Sequence, residues 1–372
     1  MNNRKYNSGE IYIGAGSKNR FISSDIIRDE KKSSIAIIGA VLVLAIIVCT
    51  FFALFGGFSV PAWKSEHTTA TTQKPKDPLQ VDKKFPYATV TDKTNFISSE
   101  GGKGLYQLDI NSDYAILVRL SDMVTLGHKY ADKIIYPASM TKVMTVLVAL
   151  DLIENLDDEY IITREILNTV PQGASSAWLS TYVGSKVSVR DLLYGISYMS
   201  GADSVLCLLD YLGLSINEFA ALMNAKADEI GLQNTTFGGA IGMDTEMNLT
   251  TCRDVAAIMA YAMENPLCVE LFGGLAYKLD FIDMTYYNST LSKTLNNMGT
   301  NPGSVLGDEY TLLAAKSGLE DKAGYCLVSY IRNDLTGEYF VLVTAKADRS
   351  DVYPPNKNTI LDMAEIFESL KP

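Results

Sequence analysis

The sequence predicts one α/β body, with strands at both ends and helices between them, preceded by a single transmembrane helix. Three observations predict it. An uncharged apolar stretch near the N-terminus is long enough to cross a bilayer. A globular pattern beginning near Ser98 opens and closes on strand-like segments. The region between carries repeated helix-start signals. With 372 residues, 47% hydrophobic and 20% charged, the chain can build one large domain plus appendages.

Residues 1–33 mix Asn, Ser, Arg and Lys without a sustained period and read as a disordered tail. Their Gly14-Ala15-Gly16 step lacks the strand, third glycine and helix of a nucleotide-binding loop. No residue between Lys32 and Lys64 is charged, and Ile35 to Val60 reads IAIIGAVLVLAIIVCTFFALFGGFSV. That exceeds the ~20 apolar residues a transmembrane helix needs and the ~7–15 of a cleavable signal peptide, so residues 34–60 read as an uncleaved anchor. Cys49 is not a lipoprotein site, because Val48 precedes it and the run continues. Lys31 and Lys32, with Arg28 and Arg20 upstream, face only Lys64 on the other flank. The tail is therefore expected in the cytoplasm and everything after residue 60 outside it, a single-pass type II cell-membrane topology. Residues 61–97 read as a linker, in which Ser65–Pro86, rich in Thr, Lys and Pro, has little to bury.

Residues 1–34 carry seven Lys or Arg and four Asp or Glu, a net of +3, which with −11 overall leaves −14 for the rest. An acidic body with no basic stripe of interleaved aromatics excludes nucleic acid as a partner. Outside the span, Cys207, Cys252, Cys268 and Cys326 have three pairings open to them. Their apolar neighbours favour buried free thiols.

Within the body, residues 98–372, Tyr114–Leu120 and Val124–Leu126 read as neighbouring strands. A helix over Ser139–Leu156 is apolar nearly all round except at its start, the mark of a helix in a domain centre. Further helices begin at Ser188 with Asp191, Ser215 with Glu218 and Thr251 with Asp254, with Gly231 and Pro266 as stops. Strands return at Tyr325–Ile331 and Tyr339–Ala345 around a turn at Asn333–Gly337, followed by a last helix over Asn358–Leu370.

At the head of the central helix, Ser139 and Lys142 are one turn apart on one face. A serine hydroxyl is a poor nucleophile without a base. A desolvated lysine can be that base, because burial lowers its pKa. Alone the spacing carries little, since about one or two Ser-x-x-Lys matches arise by chance in a chain this long. Its companions are Ser200-Gly201-Ala202-Asp203 at a helix junction and Lys316-Ser317-Gly318 before the penultimate strand.

These three motifs resemble those of the serine D-alanyl-D-alanine carboxypeptidases, the low-molecular-mass penicillin-binding proteins. Tyr136-Pro137-Ala138-Ser139-Met140-Thr141-Lys142, Val189–Gly195, Gly231-Leu232 with Asn234–Phe237, and Thr250-Thr251 with Asp254 extend the likeness over about Ser98–Leu370. The resemblance implies a β-lactamase/transpeptidase-like fold, an antiparallel sheet covered by helices with an inserted helical subdomain. It implies removal of the terminal D-alanine from peptidoglycan stem pentapeptides through an acyl-enzyme, and covalent inhibition by β-lactams. In that scheme Ser139 attacks, Lys142 takes its proton, Ser200 relays a proton to the leaving amine, and Lys316 supports the relay. Ser317 holds the substrate carboxylate beside Gly318, and the amides of Ser139 and Leu319 form the oxyanion hole. No cofactor or metal is called for.

Three rival readings fit the residues less well. A zinc D,D-peptidase needs more ligands than His67 and His128 offer. A β-lactamase of one large class needs Glu-x-x-Leu-Asn after the second motif, whereas Glu165-Ile166-Leu167-Asn168 is one residue short and precedes Ser200. A catalytically weak penicillin-binding or wall-sensing module is suggested by Ala202, where the family carries Asn. Retention of Ser139, Lys142 and Lys316 argues against it.

Overall fold

The computed structural model describes residues 97–104, 110–291, 306, 309–348 and 357–369. The expected tail, the span over 34–60 and all but the last residue of the linker lie outside the described residues. Among the described residues no single helix is long and apolar enough to cross a membrane.

Six strands form one sheet in the order β1 (Ile97–Gly104), β3 (Val124–Lys129), β2 (Ser112–Arg119), β10 (Tyr339–Ala347), β9 (Gly324–Asn333), β8 (Tyr310–Glu320). Its pairings are antiparallel except β1 with β3, which runs parallel and departs from the expected all-antiparallel sheet. The β2–β3 hairpin and β10 occupy both edges of β2, so β1 joins on the outer edge of β3. Short two-stranded sheets pair β4 (Glu159–Ile161) with β5 (Lys186–Ser188) and β6 (Ala276–Lys278) with β7 (Thr285–Tyr287). The continuous apolar run of β2 follows from a sheet covered on both faces. Ile116 and Val118 join the larger core, whereas Ala115 and Leu117 pack with Met363, Ile366 and Phe367 of the C-terminal helix, Lys357–Glu368.

The central helix α1 (Thr141–Leu152) is buried from Thr141 to Ala149, as its apolar circumference requires. It stops four residues before the expected Leu156. Ile153 is extended, and the carbonyls of Leu156 and Asp158 accept the amides of Arg190 and Val189, drawing the chain toward the next layer. Beyond a single turn, α2 (Arg164–Leu167), the remaining helices are α3 (Val189–Tyr198), α4 (Ala202–Tyr211), α5 (Ile216–Ile230), α6 (Cys252–Ala262) and α7 (Pro266–Gly273). Ser188, Ser215 and Thr251 cap as expected, each accepting the amide three residues on, and Ser215 with Glu218 forms a reciprocal capping box. Each such cap contributes ~0.5–2 kcal/mol. Gly231 ends α5 at φ 85, where a side chain would be strained. Pro266 opens α7 rather than stopping α6, which has already ended at Ala262. The four body cysteines are buried and unpaired, and burial pushes the thiols of Cys207, Cys268 and Cys326 up to about 12.

Candidate active site

The chain enters α1 through a tight 3₁₀ turn, Ala138–Met140, with Ala138 held at a left-handed φ of 46. Two glycines make that turn fit. A Cβ on Gly242 would lie 2.2 Å from the Ala138 carbonyl oxygen, and one on Gly318 would lie 2.9 Å from Ala138 Cβ and 3.1 Å from the Ser139 amide nitrogen. Only backbone without a side chain can approach so closely. The turn leaves Ser139 half-buried.

Lys142 is 1% exposed, and its Nζ donates to Ser139 Oγ at 3.0 Å and to the Ile241 carbonyl at 2.6 Å. Burial among apolar groups lowers its pKa to about 7, against the opposing influence of the Glu320 and Asp203 charges. A lysine that is half neutral at pH 7 can both take and return a proton.

Ser200 occupies the α3–α4 junction at a left-handed φ of 57 and is 8% exposed. Lys316, on β8 and fully buried, donates to Ser200 Oγ at 3.0 Å and to the Ser317 carbonyl at 2.9 Å. Side chains alternate along a strand, so Lys316 and Gly318 share the face of β8 that meets Ser139. The three motifs therefore converge: Ser139 with Lys142, Ser200 with Lys316, and the backbone of β8 beside the Ser139 amide. Two non-glycine residues with positive φ, Ala138 and Ser200, sit at this one place, where backbone strain costs ~1–3 kcal/mol each.

Thr290 was not singled out from the sequence. Fully buried, its Oγ1 accepts the Ser317 amide at 3.1 Å and shares a hydrogen bond with Ser317 Oγ at 2.9 Å, so it fixes the serine hydroxyl. The Ile241 carbonyl that anchors Lys142 was equally unforeseen; a main-chain acceptor leaves no mark in the sequence. Leu319 stands at the rim, 40% exposed. Ala202 is fully buried and offers only its amide, which donates to the Ser175 carbonyl at 2.8 Å. Asp203 does not replace the missing Asn, because its carboxylate accepts from the Ser176 hydroxyl and the Ala177 and Leu179 amides.

A half-exposed serine hydroxyl beside a near-neutral lysine, with a second serine–lysine pair converging on it, is equipped for acyl transfer by nucleophilic attack. The family model for D-alanyl-D-alanine carboxypeptidase matches residues 102–346. The chain is 28% identical over 234 residues to D-alanyl-D-alanine carboxypeptidase DacF of Bacillus subtilis, covering 62% of this chain and 57% of that protein. It is 31% identical over 209 residues to D-alanyl-D-alanine carboxypeptidase DacC of Escherichia coli, covering 54% and 52%. The match thus spans little more than half the length of these relatives. The crystal structure of the Streptomyces K15 DD-transpeptidase superposes with a TM-score of 0.57 at 25% identity, covering 69% of this chain and 95% of that one.

Proposed function

The chain belongs to the D-alanyl-D-alanine carboxypeptidase family, and from that membership we propose that it is a serine D,D-carboxypeptidase removing the terminal D-alanine from peptidoglycan stem pentapeptides. The observation that carries the reading is Lys142, buried, with its pKa lowered to about 7 and 3.0 Å from Ser139 Oγ. Ser139 Oγ attacks the carbonyl between the two D-alanines as its proton passes to Lys142. The amides of Ser139 and Leu319 receive the oxyanion, a contribution of ~2.7–4 kcal/mol per donor. Ser200, with its hydroxyl on Lys316, passes its proton to the departing amine and recovers one from Lys142, which is thereby neutral again, while Ser317 holds the terminal carboxylate. D-alanine leaves, and a water deprotonated by Lys142 hydrolyses the ester. A β-lactam undergoes the same attack at its ring amide, and the leaving group stays tethered.

Residues 98–372 are the catalytic domain in this reading, held outside the cytoplasm by the 61–97 linker and the 34–60 anchor. The 26-residue apolar run of Ile35–Val60 and its positive cytoplasmic flank support the topology. Protease added to intact protoplasts is expected to remove the body and spare residues 1–33; full protection would refute the orientation.

Digestion of a defined pentapeptide stem with mass readout tests the activity, and loss of one D-alanine is the expected product. The fully buried, apolar Ala202 is the feature behind a second reading, a penicillin-binding module without turnover, which the family membership does not favour. Unchanged peptide from folded protein that binds penicillin would establish that reading in place of the first.

A further inference from the structure

Residues 175–179 run along the Ser200–Asp203 turn and are fastened to it at several points. The Ser175 carbonyl accepts the Ala202 amide, and Ala177 packs so closely that a Cβ on Gly201 would lie 2.7 Å from Ala177 Cβ. Asp203, 2% exposed, accepts the Ala177 amide at 2.8 Å, the Ser176 hydroxyl at 2.6 Å and the Leu179 amide at 3.1 Å. The Trp178 amide between them donates to Ser176 Oγ at 2.9 Å. From the β7 side, the Tyr286 hydroxyl donates to the Ala177 carbonyl at 2.7 Å.

This clamp holds a residue that the fold does not need. Trp178 has a left-handed φ of 67, which disfavours a bulky side chain, and it is 59% exposed although both neighbours are buried. Glycine would satisfy the backbone and leave the core unchanged. The position of Trp178 beside the second motif puts this strained, solvent-exposed aromatic next to the place where an acyl donor would bind. Ala202, on the same turn, has no polar side chain to hold the acyl donor.

We infer that Trp178 is a specificity-determining residue whose indole takes the long, amine-bearing aliphatic side chain of the stem residue just upstream of the D-alanyl pair. An indole face binds methylenes by dispersion and an ammonium by its quadrupole, and the −14 charge beyond residue 34 favours a cation. The inference rests on the D,D-carboxypeptidase reading.

The test uses the full chain in detergent and two pentapeptides ending in D-Ala-D-Ala that differ only at the third position, lysine against alanine. The native protein is expected to favour the lysine peptide in kcat/KM, and Trp178→Ala to lower the lysine-to-alanine ratio roughly 5- to 30-fold, the loss of one aromatic contact. Trp178→Gly, which relieves the left-handed strain, is expected to lower the ratio as far while keeping or raising Tm, so that misfolding cannot account for the loss. A native enzyme that cleaves both peptides equally well, or a ratio unchanged in both variants, overturns the inference and leaves the activity standing. A native protein that cleaves neither peptide overturns the activity and the inference with it.

Discussion

The acid limb of the acylation rate should report the titration of Lys142. With its pKa brought from 10.5 to about 7, the amine is neutral in about half of the molecules at pH 7, about a tenth at pH 6 and about nine-tenths at pH 8. A lysine at its ordinary value would be neutral in only ~0.03% at pH 7, so burial raises the competent fraction on the order of 1000-fold. Stopped-flow acylation by a fluorescent penicillin from pH 5.5 to 9 should therefore rise about tenfold per pH unit below 6.5 and level off above 8. Glu320 favours the ammonium form, so Glu320→Gln should shift the limb to lower pH and speed acylation at pH 6. A flat profile with chemistry limiting, a midpoint above 9, or an upward shift in Glu320→Gln would refute the assignment of Lys142 as base.

Other outcomes follow from the same contacts. Between pH 7 and 10.5 the unfolded chain holds the Lys142 proton while the native state has released it, so this group's cost to stability is largest below pH 7 and fades as pH rises. Lys142→Met should accordingly raise Tm most at pH 6, by roughly 2–4 °C, and least at pH 10; a gain that grows with pH would contradict this. Thr290→Val removes the acceptor of the part-buried Ser317 amide and leaves its hydroxyl unfixed, so the stem-peptide KM should rise roughly tenfold with a smaller change in kcat. An unchanged KM with a fallen kcat would show that Ser317 acts otherwise. Ala202→Asn should leave D-alanine release equal or faster, and a slower variant of unchanged Tm would count against the family Asn as the missing contact.

What the sequence revealed was local or repeated in kind. The helix starts at Ser188, Ser215 and Thr251 were legible because a cap and its acid are three residues apart, and α1 because its apolar surface runs all round. The strand β8 was missed around the Lys316 motif, since Lys316, Ser317 and Gly318 break its apolar pattern for the sake of the site. The early end of α1 depends on pairing with residues more than thirty positions on, which no local signal carries. Within the site, Ser139, Lys142, Ser200 and Lys316 were legible as motifs. The Ile241 carbonyl, 99 residues from Lys142, and Thr290, 27 from Ser317, became visible only when the fold brought them together. The parallel β1–β3 pair likewise reflects which sheet edge was free, a fact of topology rather than of composition.

The most direct measurement is the site of covalent capture. Full-length protein in detergent, incubated with penicillin and digested, should carry one penicilloyl group, on the peptide containing Ser139. Ser139→Ala should carry none, and Lys142→Ala should acquire it far more slowly. An adduct of undiminished yield in Ser139→Ala, or one mapped to Ser200 in the native chain, would contradict the account.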